Sequence, residues 1–164
     1  MFVVLDLDGT VADASHRAHY LEQTPKDWEA FFRPDLVIKD PVINGVTRVL
    51  THFQDLKYDF VILTGRNESL RDTTTRWILE NLNIEIPDTH LLMRPHGNML
   101  NAAEYKKEQL LNFKQGLENR DNGFLIIEDD AEACVALKDF GTVLHAPACW
   151  DLLFPVYKPA VQDI

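Results

Sequence analysis

The chain is short of cysteines, basic residues and long apolar runs, and each shortage excludes a class of protein. Its two cysteines, Cys134 and Cys149, have the spacing of neither a disulfide framework nor a zinc site, so we expect buried thiols. No apolar run is long enough to cross a bilayer, and Met1 leads into a strand without a basic leader, so we expect a soluble, cytoplasmic protein. With 16 basic and 26 acidic residues, the net charge of −10 disfavours a protein that tracks a long polyanion.

Apolar material is plentiful by contrast, and it is arranged for one domain. The apolar share of 46% over 164 residues is enough for a substantial core, so residues 1–164 are interpreted as a single domain. Short runs rich in β-branched residues are typical of buried strands, and they alternate here with segments of helical periodicity. This alternation predicts an α/β fold, a Rossmann-like parallel sheet with helices on both faces. The predicted strands are Phe2-Val3-Val4-Leu5, Phe60-Val61-Ile62-Leu63, Leu91-Leu92-Met93, Phe124-Leu125-Ile126-Ile127 and Thr142-Val143-Leu144-His145.

The predicted helices carry apolar residues at a spacing of three or four. Asn67 or Ser69 can cap the helix that carries Trp77, and Gly141 stands where a helix gives way to a strand. Aromatic residues and prolines interrupt the alternation over about 13–41, which predicts a small cap insertion above the strand ends. The helical sets are Val46, Val49, Leu50 and Phe53; Leu70, Trp77, Ile78 and Leu82; and Ala133, Leu137 and Phe140.

Polar side chains follow three of the predicted strands at the point where each strand ends. The segments are Asp6-Leu7-Asp8-Gly9-Thr10, Thr64-Gly65-Arg66 and Glu128-Asp129-Asp130. Because parallel strands end at a common edge, these groups are expected to converge there. Asp6 and Asp8 share a strand face, so one can attack a ligand while the other handles a proton. Crowded carboxylates need a cation, and oxygen ligands favour magnesium, so the set predicts phosphoryl transfer.

This ordered set resembles the four motifs of the haloacid dehalogenase (HAD) superfamily of phosphohydrolases, with a lysine, Lys106 or Lys107, as the third. The resemblance implies that Asp6 is the nucleophile, which forms an aspartyl-phosphate. It implies that Asp8 is the general acid and base, with its carbonyl on the metal, and that Thr64 and the lysine contact the phosphoryl group. An ungapped comparison from Met93-Arg94-Pro95 favours Lys106, while helix context also accepts Lys107.

The same resemblance implies a Mg²⁺ site, with Asp6 and Asp8 as ligands together with Asp129 and with Glu128 acting directly or through water. Asp130 is expected to cap the following helix instead. Asp8 favours a phosphatase, because the dehalogenase branch usually lacks this second aspartate. A metal-binding or phosphate-binding regulatory protein without turnover would have no need of Asp6, Thr64 and a lysine together.

Within the superfamily, the chain is most similar to the phosphatase domain of bifunctional polynucleotide kinase/phosphatases. The residues that carry this similarity are Asp6 to Asp13, Ser15-His16-Arg17, Lys26-Asp27-Trp28, Leu63-Thr64-Gly65-Arg66, Arg76-Trp77, Leu92-Met93-Arg94-Pro95 and Glu128-Asp129. It departs from that group in having Gly97-Asn98 where Gly-Asp is common and Glu128 where an aspartate is common. The chain also lacks the Gly-x-x-x-x-Gly-Lys-Ser/Thr phosphate loop of a kinase.

The resemblance implies a magnesium-dependent 3′-phosphatase whose substrate is a phosphorylated nucleotide or nucleic-acid end. A 5′-nucleotidase or another small-molecule phosphatase is the alternative, favoured by the acidic balance. No partner protein is indicated. Planar guanidinium groups bind phosphate well, so Arg17, Arg66 and Arg94 are candidate substrate ligands beside Gly65, although each arginine could equally pair with an acid. Trp28 could stack on a base or anchor the cap.

Overall fold

A computed structural model describes residues 1–118 and 123–146 of the chain. Their centre is a parallel sheet of five strands in the order β3-β2-β1-β4-β5, which confirms the predicted α/β class. Each predicted apolar run lies in one of these strands. Their bounds are Phe2–Leu5 (β1), Asp59–Asn67 (β2), Leu91–Arg94 (β3), Phe124–Glu128 (β4) and Gly141–His145 (β5).

Helices cover both faces of the sheet, because alternate residues of the buried strands point to opposite sides. On one face Leu5 and Ile62 pack in a core with Trp77, and on the other Val4 and Leu110 share a second core. The first face is covered by α3 and α4, and the second by α5 and α6. The helices are Trp28–Phe31 (α1), Pro34–Val37 (α2), Val46–Asp55 (α3), Arg71–Leu82 (α4), Ala102–Gly116 (α5) and Ala131–Leu137 (α6), with 3₁₀ turns at Ser15–Tyr20, Glu68–Leu70 and Asp88–His90.

Helix starts follow the predicted capping chemistry. Asn67 accepts a hydrogen bond from the backbone N–H of Ser69 and opens the turn that leads into α4. Asp130 accepts one from Ala133 N at the start of α6, which confirms its assignment as a cap. Gly141 begins β5, and a Cβ there would meet the Phe124 carbonyl at 2.1 Å.

Strand register brings the polar segments to one edge. Leu5 at the end of β1 pairs with Ile62 on one side and with Ile127 on the other. Asp6 therefore begins the loop after β1 between the ends of β2 and β4.

The predicted cap segment, about 13–41, contains the turn Ser15–Tyr20 and the short helices α1 and α2. Its description as a cap insertion in a single domain stays a prediction. Cys134 is a partly buried free thiol, and Cys149 lies outside the described residues. Within residues 1–118 and 123–146, no helix is both long and apolar enough to cross a membrane, and a cytoplasmic location stays a prediction.

Candidate active site

Asp6 and Lys106 form the centre of the site. The Nζ atom of Lys106 lies 3.0 Å from Asp6 Oδ1 and 2.9 and 2.7 Å from the two carboxylate oxygens of Glu128. Burial alone would lower the pKa of Lys106, but the two carboxylates outweigh it and raise that pKa well above its ordinary value. Lys106 therefore stays charged and holds Asp6 and Glu128 together.

The two candidate lysines differ in burial and in contacts. Lys106 is buried on α5 with Leu110, one turn further along the same helix face, whereas Lys107 is exposed. Only Lys106 of this pair reaches Asp6.

Gly9 and Thr10 connect Asp129 to Asp6. Thr10 donates a hydrogen bond from Oγ1 to Asp129 Oδ1 at 3.1 Å, and Oγ1 also lies 3.4 Å from Asp6 Oδ2. Gly9 has a φ of +91°, and a Cβ at that position would lie 2.2 Å from Asp129 Oδ2. The glycine thus provides both the left-handed turn and the space that Asp129 occupies.

The carboxylates of Asp6, Glu128 and Asp129 suit a hard divalent cation. Each offers an oxygen, and the three oxygens lie within 4.8 Å of one another. Burial, more than any other influence, raises the pKa of Asp6 well above its ordinary value; Lys106 opposes this rise, while Glu128, Asp129 and Asp8 add to it. A bound Mg²⁺ would reduce the repulsion among these carboxylates, whose oxygens are ligands that it prefers.

Asp8 belongs to a second buried charge cluster. Its Oδ1 accepts hydrogen bonds of 2.6 Å from Nη2 of both Arg17 and Arg66, and Arg66 Nε adds contacts of 3.1 and 3.2 Å. Asp40 Oδ2 accepts from the same two arginines, at 2.6 Å from Arg17 and 3.0 Å from Arg66. The negative charges of the two carboxylates thus balance the positive charges of the two guanidinium groups.

This cluster sets the protonation state of Asp8. Burial raises the pKa of Asp8, but Arg66 and Arg17 lower it by more, so the net pKa lies below the ordinary value. Asp8 is therefore a carboxylate held at fixed orientation between two planar cations.

Arg17 and Arg66, two of the candidate substrate ligands, are fully buried. Both side chains are 0% exposed, and their contacts are to Asp8 and Asp40, with Arg17 also donating to the Phe31 carbonyl. Both arginines thus pair with acids, and substrate binding by either of them stays a prediction. In this arrangement the arginines act on Asp8.

The remaining candidate residues are Thr64, Gly65, Arg94 and Trp28. Thr64 is buried within β2, three residues before the strand ends, and its Oγ1 accepts a hydrogen bond of 3.2 Å from Arg66 N. Gly65 has open space where a Cβ would lie. Arg94 donates to Asn98 and to the Leu100 carbonyl and packs its guanidinium 4.4 Å from the ring centre of Tyr105. Trp28 is 51% exposed on α1.

A cavity of about 500 Å³ opens beside Asp8. Asp8 and Gly9 form one part of its lining, and Phe31, Leu21 and Ile43 provide apolar walls. It is large enough for the organic part of a small phosphomonoester.

Asp40 is the site residue that the sequence reasoning missed. It accepts from Arg17 and Arg66, and His16 Nε2 lies 2.8 Å from its Oδ1. Its only local signal is an acid before Pro41 within the predicted insertion, which does not distinguish it from an ordinary turn residue. Thr10, in the first motif, is a second such residue, because no sequence pattern indicates its contacts with Asp129 and Asp6.

Comparisons with known proteins place the chain among described families and folds. The family model for the polynucleotide kinase PNKP phosphatase domain matches residues 1–143. None of the curated proteins matches the chain.

Among solved structures, a chain of the Pnkp1/Rnl/Hen1 RNA repair complex is similar, with a TM-score of 0.63 and 20% identity over 87% of this chain and 41% of that one. The protein thus spans about two fifths of the length of that chain. The class C acid phosphatase from Bacillus anthracis has a TM-score of 0.59 and 17% identity over 91% of this chain and 68% of its own. A haloacid dehalogenase-like hydrolase from Streptococcus pneumoniae has a TM-score of 0.60 and 14% identity over 88% and 83% of the two chains.

These structures share the fold at low identity, whereas the family model spans nearly the whole described chain and all the motif residues. The chain therefore belongs to the family of polynucleotide kinase PNKP phosphatase domains, within the phosphatases of the haloacid dehalogenase superfamily.

Proposed function

We propose that this phosphatase is a magnesium-dependent phosphomonoesterase that acts through an aspartyl-phosphate on Asp6, with 3′-phosphorylated polynucleotide ends or nucleotides as substrates. The observation that carries the proposal is the placement of Asp6 beside Lys106, at 3.0 Å, with Asp129 and Glu128 close by. A carboxylate between an ammonium and two further acids is suited to a phosphoryl group once a cation is present.

In the first step, an Asp6 oxygen attacks phosphorus, an O–P bond forms, and the ester oxygen leaves. Lys106 balances charge that develops on the phosphoryl oxygens, and Thr64 is proposed to donate to one of them from the end of β2. Covalent capture divides a very slow hydrolysis into two easier displacements.

Asp8 is proposed to manage the proton in both steps. Its ionised carboxylate can accept a proton from the water that attacks the phosphoenzyme. Protonation of the leaving oxygen requires Asp8 to carry a proton first. A phosphomonoester bound as its monoanion can bring that proton, since the second pKa of such a group is about 6.

Mg²⁺ would be held by Asp6, Asp129 and Glu128, with the Asp8 carbonyl as a further ligand. It would neutralise charge on the phosphoryl group and on the crowded carboxylates. Both oxygens of Glu128 accept hydrogen bonds from Lys106. Its proposed contact with the ion is either direct or through water.

The preference for 3′-phosphate is supported by family membership across residues 1–143. The net charge of −10 supports contact with a chain end or a single nucleotide rather than with a long stretch of backbone. A 5′-nucleotidase is the second candidate, supported by the same acidic balance.

A phosphatase screen tests the proposal. Purified protein is incubated with Mg²⁺ and with 3′-phosphorylated or 5′-phosphorylated oligonucleotides, 3′- and 5′-mononucleotides, and sugar phosphates. The expected result is release of phosphate from the 3′-phosphorylated substrates at the highest kcat/KM. Faster release from 5′-mononucleotides would favour the second candidate, and no release from any substrate would contradict both.

A further inference from the structure

An exposed aromatic surface lies next to the active-site cavity. The α1 aromatic cluster consists of Trp28, Phe31 and Phe32. The Trp28 ring is nearly parallel to that of Phe32, with centroids 6.0 Å apart and an interplanar angle of 18°, and it meets Phe31 edge-on at 6.1 Å. Trp28 is 51% exposed, whereas Phe31 is 6% exposed. The cluster therefore extends from the interior to the surface.

Phe31 connects this cluster to the catalytic centre. Its ring lines the cavity that Asp8 also lines, and the Arg17 guanidinium lies 4.2 Å from its centroid. Arg17 in turn binds Asp8. Trp28 thus contacts Phe31, which both lines the cavity and packs against Arg17.

The role of Asp8 determines where the organic part of the substrate lies. A leaving oxygen that takes a proton from Asp8 must be within hydrogen-bond distance of it. The alcohol attached to that oxygen then extends into the cavity that Asp8 and Phe31 share. Trp28 does not line this cavity, but its exposed ring meets Phe31, which does.

The exposure of Trp28 favours contact with a ligand over a packing role in the cap segment. Phe31 and Phe32 already pack the cluster against the protein, and Phe31 is nearly fully buried. An anchor would bury its indole, but half of the Trp28 surface remains accessible. Lys26 is also exposed, with its ammonium 5.6 Å from the Trp28 centroid, so a cation accompanies the ring. A flat ring beside a cation suits a base with a neighbouring phosphate.

We propose that Trp28 is a specificity-determining residue, a platform on which the base of the leaving nucleoside stacks, with Lys26 beside the phosphate that precedes it. The inference rests on the proposed function and deepens it, because it assigns recognition of the base to Trp28 and of the neighbouring phosphate to Lys26.

The kinetic test compares two oligonucleotides that differ in one base. Both carry a 3′-phosphate, and one has an abasic sugar at the phosphorylated end. In the wild type the abasic substrate is expected to have a kcat/KM lower by about 5- to 150-fold, mainly through KM, since stacking on an aromatic residue contributes ~1–3 kcal/mol per base. Trp28→Leu should remove most of that difference, and Trp28→Phe should restore much of it.

Leu79→Ala is the matched control, because Leu79 is 47% exposed on α4 and does not line the cavity. It should retain the full base preference. An equal loss on both substrates in Trp28→Leu, or no loss on either, would overturn the stacking proposal. If the wild type dephosphorylates neither oligonucleotide, the proposed function itself fails.

A binding measurement gives a readout without turnover. In Asp6→Asn protein, a 3′-mononucleotide should quench tryptophan fluorescence, because a base stacked in direct contact with an indole quenches its emission. The Asp6→Asn/Trp28→Leu protein should show clearly less quenching than the Asp6→Asn protein. Equal quenching in both proteins would place the base elsewhere and overturn the assignment.

Discussion

The Nζ atom of Lys106 lies 3.0 Å from Oδ1 of Asp6, so an ammonium on α5 directly faces a carboxylate at the end of β1. This contact joins the first and third motifs across the sheet edge. The proposed function gives the lysine two functions, holding Asp6 and neutralising the phosphoryl group that Asp6 is proposed to attack.

Lys106→Met should therefore lower kcat by about 100- to 1,000-fold, the range for removal of one preorganised donor that stabilises developing negative charge. Lys107→Met is the control, because Lys107 is exposed on the same helix and should leave kcat unchanged. Steady-state kinetics on a 3′-phosphorylated oligonucleotide measure both variants. Equal loss in the two variants would contradict the assignment of Lys106.

Arg17→Lys tests whether Arg17 positions Asp8 or binds substrate. A lysine keeps the charge but cannot reproduce the forked contacts of Arg17 with Asp8 and Asp40, so we expect kcat to fall at least about tenfold with KM little changed. Arg33→Lys, in the exposed pair with Asp35, should change neither constant. A raised KM at constant kcat would instead support direct substrate binding by Arg17.

Gly9→Ala should weaken the metal site. The added methyl group would overlap Asp129 Oδ2, at 2.2 Å, on a backbone with a φ of +91° that disfavours alanine. We expect the Mg²⁺ concentration for half-maximal activity to rise about tenfold or more. Gly116→Ala is the matched control, because no atom lies within 4 Å of its Cβ position. An unchanged Mg²⁺ requirement in Gly9→Ala would show that Asp129 does not hold the ion.

Asp8→Asn tests the buried charge cluster through the pH dependence of stability. The pKa of Asp8 is lower in the folded protein than its ordinary value of 3.8, so its stabilising contribution is complete above that value and is lost as pH falls through the lowered pKa. At pH 7, Asp8→Asn should reduce the free energy of unfolding by about 3–5 kcal/mol, because Arg17 and Arg66 lose a buried partner.

Urea unfolding at pH 7, 5 and 4 and, where the protein remains folded, at pH 3 measures this effect. The difference between wild type and Asp8→Asn should stay constant down to about pH 4 and shrink below it. A difference that narrows already between pH 7 and 5 would mean that Asp8 titrates higher than its arginine partners allow.

Local patterns predicted the fold because each element is specified by adjacent residues. The β-branched run Phe2–Leu5 is a central strand, and Asp130 caps α6 as its position before an apolar helix suggests. The helical spacing of α5 also indicates which lysine is buried. Lys106 shares a face with the buried Leu110, whereas Lys107 lies with the exposed Leu111.

The arginine cluster could not be predicted in the same way. Arg17 and Arg66 have the sequence appearance of phosphate ligands, and their burial depends on Asp40, which comes from a segment without periodicity. Charge compensation between distant loops is a tertiary property. No local pattern indicates that two fully buried guanidinium groups will share two carboxylates.

The most direct test of the central claim is trapping of the phosphoenzyme. Wild-type protein is mixed with a 3′-phosphorylated oligonucleotide and Mg²⁺, quenched in acid within the first turnover and digested for mass spectrometry. The account predicts one phosphoryl group on the peptide that contains Asp6, and none in Asp6→Asn protein, which should also lack turnover. Rapid turnover by Asp6→Asn, or a phosphoryl group trapped on a different residue, would contradict it.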